Sequence, residues 1–568
     1  MSSQPEESCD LLVIGSGAGG LSAAVSAAWH GLKVIVVEKE PVFGGTTAWS
    51  GGWMWVPGNP LAREAGIHED AATIRTYLRH ELGNHYDARI ETFLEAGPEM
   101  VAFFRDRTSV SFIDGNRIPD MHGNSPGAGL GGRSVCAAPF DGRELGPLIE
   151  KLRPPLDEIS FLGMGIASGV DFGHFLNAAR AWNSFLHVGR RVGRHLVDLA
   201  LHRRGMHLVN GNALAARLLK SAADLKVDLR VCSPANRLLA RDGVVIGAVV
   251  GEGDGEVAIR ARSGVVLACG GFPHDHERLR ELLPNNPAGR AHWSAAPRSN
   301  TGDGLRLGEA VGAIVDAGLA APCAWSPVSL VPRKDGSFGH FPHLAERAKP
   351  GLIAVTADGR RFVNEAGSYY DYVEALLKVL PPGAEPVSWL ICDHRFQRHY
   401  GLGFAKPAPL PLAPHLASGY LKCGRTIEEL AAACGIDPDG LSRTVADYND
   451  GARAGADPEF RRGETPYSRM GGDAAVKPNP SVAPIEQAPF YAVRIVPGSL
   501  GTFAGLKTDA QARVLDTAGQ PIAGLFAVGA DMASIMGGTY PAGGINLGPA
   551  MTFGYLVGRD AAARRKGG

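Results

Sequence analysis

The sequence predicts an α/β fold in two parts, a domain built on a parallel sheet and a smaller α+β cap inserted into it. Three observations predict it. Residues 11–38 run as apolar strand, glycine turn, small-residue helix and second apolar strand. An apolar strand ending in glycine recurs at 264–271 and again before Gly529. Between these two, from about residue 326, Pro, Lys and Arg become frequent and short alternating segments appear at 351–355 and 386–391.

Residues 11–14 are apolar throughout, as in a strand buried on both faces. Gly15, Gly17 and Gly20 follow at G-x-G-x-x-G spacing, a helix covers about 21–30, Gly31 stops it, and residues 33–37 lead into Glu38. The three glycines serve separate ends, which are a tight turn, close approach of the backbone to a pyrophosphate, and close packing of helix on strand. The acid near the twentieth residue meets a ribose hydroxyl. Gly15, Ser16, Gly17 and Ala18 thus offer N–H groups at the positive end of a helix, where an anion binds. This is a Rossmann-like dinucleotide site.

With 568 residues, two domains or one domain with a large insertion is expected. Lys and Arg number 57 and Asp and Glu 58, so neither nucleic acid nor an anionic membrane is an implied partner. Residues 1–10 lack the basic start and apolar core of a secretory signal, and no apolar run reaches the length of a membrane span. The eight cysteines have no C-x-x-C pair, which argues against zinc, haem or iron–sulfur ligation; no metal site is expected. A cytoplasmic protein with reduced thiols is the expectation.

Lys39 and residues 41–59 follow the acid. Gly44, Gly45, Gly51 and Gly52, interleaved with Thr46, Thr47 and Ser50, form a second loop of N–H and hydroxyl donors able to wrap a planar, polar ring system. A second such loop points to a flavin rather than a nicotinamide. Trp49, Trp53 and Trp55 border either the flavin and substrate or simply the core.

GGTTAWSGG followed by W-x-P-G-N resembles the flavoprotein superfamily of fumarate reductases and succinate dehydrogenases, specifically its 3-ketosteroid Δ1-dehydrogenase branch. The resemblance implies FAD. It also implies non-covalent binding, since Thr46 and Thr47 stand where the respiratory enzymes carry a flavin-linked histidine. Helical spacing is read at 71–82 and 90–105. From Ile118 the chain is glycine-rich and matches the branch at Pro119–Asp120 and Gly132–Arg133, but Met121 and His122 stand where the branch has a catalytic tyrosine. His122 is a candidate replacement or a loop bystander.

A helix at 208–219 and strands at 229–232 and 244–250 precede the return strand ending at Gly270. The resemblance implies an adenine contact near Ala235. Asn300, Thr301, Gly302, Asp303 and Gly304 sit at a helix start; the resemblance implies that Asp303 lies near the ribityl chain, the residues alone make it a helix N-cap, and both readings can hold together. In the cap, G-x-R-F-x-N-E is followed in this superfamily by the residue that handles the substrate proton, and counting from Asn364 gives Tyr369, with Tyr370 the alternative. Neither position is arginine, which weighs against a dicarboxylate reductase. The closing segment brings Gly529 and Asp531 to the cofactor, then Tyr540 and Gly544 at the spacing with which the branch holds a ketone oxygen. A helix start near Gly548, with Asn546 and Leu547 as cofactor-binding residues, faces the flavin pyrimidine.

These expectations combine into FAD-binding segments at 1–325 and 494–568 around a cap at 326–493, and into an FAD-dependent α,β-dehydrogenase of cyclic ketones. Its substrate is a 3-oxosteroid or a smaller cyclohexanone, and its electron acceptor is a quinone or another carrier. An enoate reductase and a flavin-carrying electron-transfer subunit are the alternatives.

Overall fold

The computed structural model describes residues 6–283, 292–381 and 383–567. The chain opens with strand β1 (Glu6–Ile14), helix α1 (Ala18–Trp29) and strand β2 (Val34–Val37). β2 pairs with β3 (Asp228–Arg230) and β1 pairs on its other side with β4 (Val257–Leu267), all in parallel. β1 begins five residues before its apolar run because residues 6–9 continue the ladder against residues 258–261. The buried Asp10 accepts the Lys33 N–H at 2.8 Å and a guanidinium bond from Arg262 at 2.8 Å, so the acid is partnered rather than stranded.

The expected helix at 71–82 is α2 (Ala71–Leu82), capped by Asp70. Trp53–Trp55, Phe112–Asp114 and Ser134–Ala137 form a small antiparallel sheet beside the first turn of the domain. Trp55 is buried there, with its indole N–H on Asp120 Oδ1 at 2.9 Å.

A second sheet has seven strands, among them β5 (Cys323–Pro332) and β6 (Phe490–Thr502). β6, 13 residues long, is its spine and pairs with β5, Ser388–Cys392 and Leu421–Gly424 along its length. Helix α3 (Tyr369–Val379), capped by Ser368, carries both candidate cap tyrosines. Arg361 anchors the turn before it, its guanidinium forking onto Glu365 and Asp457 at 2.8–2.9 Å with all three side chains buried.

The chain then returns to the first sheet. β7 (Pro521–Ala527) pairs in parallel with β4, and α4 (Leu547–Gly567) lies against α1. Close approach of the two helices depends on glycine: a Cβ on Gly554 would fall 2.3 Å from the Gly19 oxygen, and one on Gly558 2.5 Å from the Ala23 oxygen.

Candidate active site

One cavity of about 1670 Å3 runs from the glycine turn of β1–α1 to the cap. The turn is shaped by exclusion. Gly15 has φ 106°, and a Cβ there would meet the Ala268 oxygen at 2.1 Å; one on Gly20 would meet the Gly15 oxygen at 2.2 Å. A Cβ on Gly17, by contrast, would meet only Thr47 Oγ1, at 3.6 Å, so this backbone faces open space. α1 starts there with no acid in its first turn; the Ala18 N–H is taken by Thr47 Oγ1 at 2.9 Å and that of Ser16 by Glu38 at 3.2 Å, and the Gly17 N–H, with no protein acceptor among the described residues, is left for an anion. Glu38 follows β2 directly, accepts the Ser16 hydroxyl at 2.5 Å and lines the cavity. A dinucleotide fits this cradle.

Other expected cofactor residues lining the cavity are Ser16, Ala18, Lys39, Gly45, Thr46, Thr47, Ser50, Gly51, Gly52, Ala235, Gly270, Asp303, Gly529, Asn546 and Leu547. Gly20, Gly44, Gly304 and Asp531 do not line it. Gly44 has φ 112° and opens the 3₁₀ turn that carries Thr46 and Thr47, and its N–H donates to the Ser16 hydroxyl at 3.0 Å. Asp531 points back into the protein, accepting the N–H groups of Cys269 at 2.5 Å and Gly271 at 2.9 Å, and so fixes the loop after β4. Gly304 leaves room for that carboxylate, since a Cβ there would lie 2.1 Å from it. Asp303 is the first helical residue rather than the cap, which is Gly302, and it pairs with Lys39 and Arg306.

The reacting end is built from three segments. Tyr369, Tyr540 and Gly544 all line the cavity, and the rings of Tyr369 and Tyr540 meet edge to face at 5.1 Å. Gly544 has φ 99°, its carbonyl takes the N–H groups of Trp55 and Gly548, and its own N–H has no protein acceptor among the described residues. Tyr370 points elsewhere: one helical residue on, it is turned about 100° and donates to the Gly538 carbonyl at 2.7 Å, outside the cavity. Burial pushes the Tyr540 phenol up to about 12, partly opposed by its hydrogen bond with Tyr369. Tyr369 is raised further, by burial and by its Tyr540 and Tyr467 neighbours, while the Arg347 charge pulls it down.

The structure does not bring His122 to this cavity. Met121 takes the inward position, its N–H on the Pro541 carbonyl at 3.0 Å, and His122 turns out between Glu81 of α2 and Asp371 of α3, 3.1 Å from the latter. Residues that no sequence pattern marks also line the cavity. Tyr467 lies in the first turn of a short helix, Pro466–Gly471, and its phenol raises the pKa of Tyr369 and of Tyr540; Arg347 and Lys349 come from the 3₁₀ turn Glu346–Ala348 and its end, and Lys406 from a loop. Only folding of the cap gathers them.

Residues 10–547 match the family model described as FAD binding domain. The chain belongs to this family. As a family member it is an FAD-dependent oxidoreductase, and its likeness to particular relatives spans nearly the whole chain. It is 40% identical to 4-oxocyclohex-2-ene-1-carboxylate 5-dehydrogenase of Sinomonas cyclohexanicum, over 98% of this chain and 94% of that one. It is 35% identical to 3-oxosteroid 1-dehydrogenase of Mycolicibacterium smegmatis, over 98% of each. The crystal structure of 3-ketosteroid delta1-dehydrogenase from Sterolibacterium denitrificans, in complex with 1,4-androstadiene-3,17-dione, superposes with a TM-score of 0.90 at 35% identity, covering 98% of this chain and 100% of that one. No helix among the described residues is long and apolar enough to cross a membrane.

Proposed function

We propose that this FAD-binding protein desaturates a cyclic ketone, a 3-oxosteroid or a smaller cyclohexanone, to the α,β-unsaturated ketone. The observation that carries the reading is the convergence of Tyr540, the free Gly544 N–H and Tyr369 on one wall of the cavity that also holds the glycine cradle. The Tyr540 hydroxyl and Gly544 N–H bind the ketone oxygen and stabilise the negative charge that develops there when the α-proton leaves. An aligned donor of this kind contributes roughly 3–4 kcal/mol. Tyr369 takes the α-proton; the double bond forms as the β-hydrogen departs with its electron pair. FAD, when bound, supplies the two-electron sink for that pair and passes it to an external acceptor, a quinone or another carrier.

Binding of FAD falls to Gly15, Ser16, Gly17 and Ala18 at the pyrophosphate, Glu38 at a ribose and Thr46, Thr47, Asn546 and Leu547 around the ring. We take the binding as non-covalent, in keeping with Thr46 and Thr47 standing where the respiratory enzymes carry a flavin-linked histidine. Segments 1–325 and 494–568 are read as the FAD-binding domain and 326–493 as the cap; the eight-stranded sheet lies wholly in the outer segments, while the seven-stranded sheet centres on the cap, with β5 and β6 crossing its two boundaries and Trp293–Ser294 added from the first segment. A cytoplasmic location agrees with eight unpaired cysteines. Anaerobic mixing of the FAD-loaded protein with steroid and monocyclic ketones tests the reading. Bleaching of the oxidised flavin with formation of the conjugated enone is expected, and absence of bleaching by every ketone overturns it.

A further inference from the structure

FAD carries a doubly charged pyrophosphate, and the cradle that receives it holds little positive charge of its own. Lys39 is already paired with Asp303, and the Glu38 carboxylate lines the same end of the cavity. From Gly15 to Ala18, only the Gly17 N–H lacks a protein acceptor among the described residues. One amide and a helix terminus are a thin counterweight to a dianion that also meets two carboxylates.

Arg153 supplies what is missing. It lines the cavity and is 7% exposed. Its segment is fastened to the loop that closes over the cradle: the Arg153 N–H donates to the Phe43 carbonyl at 2.9 Å, and the Trp49 indole N–H donates to the Pro154 carbonyl at 3.0 Å. That loop is bound in turn to the cradle, through the Gly44 N–H on the Ser16 hydroxyl at 3.0 Å and the Ala18 N–H on Thr47 Oγ1 at 2.9 Å. The guanidinium carbon lies 5.2 Å from the centre of the Trp49 ring. Its ion-pair partner is Glu40, 3.3 Å from a single nitrogen, Nη2. Nε is buried without an acceptor, and Nη1 has none among the described residues. A guanidinium brings five donors in a planar fork suited to phosphate oxygens. With one long contact made and the side chain withdrawn from water, this one is costly unless a further anion completes it.

Resting on the placement of the FAD pyrophosphate at Gly15 to Ala18, and not on the desaturase reading, we infer that Arg153 pairs with that pyrophosphate and is the cofactor's main cationic partner. Trp49 and Glu40 hold its fork in place. No motif marks the residue, because it reaches the cradle only through the loop it packs against.

The test measures FAD affinity in the wild type, Arg153→Met, Arg153→Lys and Glu40→Gln, by flavin fluorescence on dilution of the FAD-loaded protein and by FAD-dependent melting. Arg153→Met is expected to weaken FAD about ten- to hundredfold, as for loss of a charge-assisted contact, and Arg153→Lys to recover part of this. Added salt should weaken FAD binding less in Arg153→Met than in the wild type. Glu40→Gln leaves the whole fork to the phosphates, so its FAD affinity should hold or rise. In competition with FAD for protein stripped of flavin, ADP should lose potency in Arg153→Met and adenosine should not. Unchanged FAD affinity in a folded Arg153→Met overturns the inference. So does a Glu40→Gln that weakens FAD as much as Arg153→Met, since Arg153 would then act through Glu40, and so does equal loss for ADP and adenosine, which would put it at the nucleoside. Should Arg153→Met not fold, the FAD affinity and the ADP-to-adenosine ratio of Arg153→Lys decide the same question. If the wild type binds adenosine as tightly as ADP, the placement of the pyrophosphate falls and the inference with it.

Discussion

At the scale of single residues, the proposed desaturation asks different things of the two phenols. Tyr540, raised to about 12, stays protonated at neutral pH and is suited to donate a hydrogen bond. Tyr369 serves as a base only once its own proton has gone, and burial opposes that loss. Activity is therefore expected to climb with pH on the alkaline side, by about tenfold per pH unit while the phenolate is the minor form. Tyr369→Phe should flatten this limb in a pH profile of kcat/KM. Tyr540→Phe should lower kcat by roughly 10²–10³ with FAD content unchanged, as for removal of one oxyanion donor. Comparing flavin absorbance per protein with turnover separates the two effects.

At the scale of elements, His122 joins α2 to α3 through Glu81 and Asp371. Burial alone would lower the imidazole, but the Asp371 and Glu81 carboxylates outweigh it and raise the pKa to about 10. Because the folded value exceeds the unfolded one, this link stabilises fully below about pH 6.5. Its contribution then declines as pH rises and is gone above about 10. His122→Leu is expected to destabilise the protein by about 1–3 kcal/mol at neutral pH, the range for leaving partly buried charged groups unpaired. The deficit should shrink at alkaline pH in denaturant melts; an equal deficit at all pH values would mean that the ring acts by packing.

Sequence pattern reaches this scale unevenly. α2 and the strand Val244–Val250 are legible to the residue, because each has a clean apolar period and polar flanks. The apolar run alone starts β1 at residue 11, whereas the strand starts at Glu6: a polar stretch that completes a ladder has no periodic signal of its own. Glycine spacing locates the cradle, but cannot tell the glycines that face the cavity from Gly20 and Gly304, which make room for protein atoms. Counting from Asn364 leaves Tyr369 and Tyr370 open, and helical rotation distinguishes them. Sequence leaves His122 open between replacement and bystander because its partners, Glu81 and Asp371, lie 41 and 249 residues away.

At the scale of the whole molecule, the cavity lies where the parallel sheet and the cap sheet meet, and its walls come from every major segment. FAD filling it ties those segments together. A cofactor that binds only the folded state adds about 2.7 kcal/mol at a hundred times its dissociation constant. Removing FAD should therefore lower the melting temperature, and re-adding it should restore the value in a concentration-dependent way. Gly15→Val, whose side chain has no space beside the Ala268 oxygen, should yield protein whose melting does not respond to FAD.

The pairing of β7 with β4 and the packing of α4 on α1 have a consequence for biosynthesis. While a nascent chain is still short of Pro521, residues 257–260 of β4 already pair with Val244–Val250, but residues 265–267, at the end nearest the cradle, lack their neighbour and α4 is missing from beside α1. Flavin capture must then await the last stretch to leave the ribosome, and a chain halted earlier would expose a sticky apolar rim to chaperones and proteases.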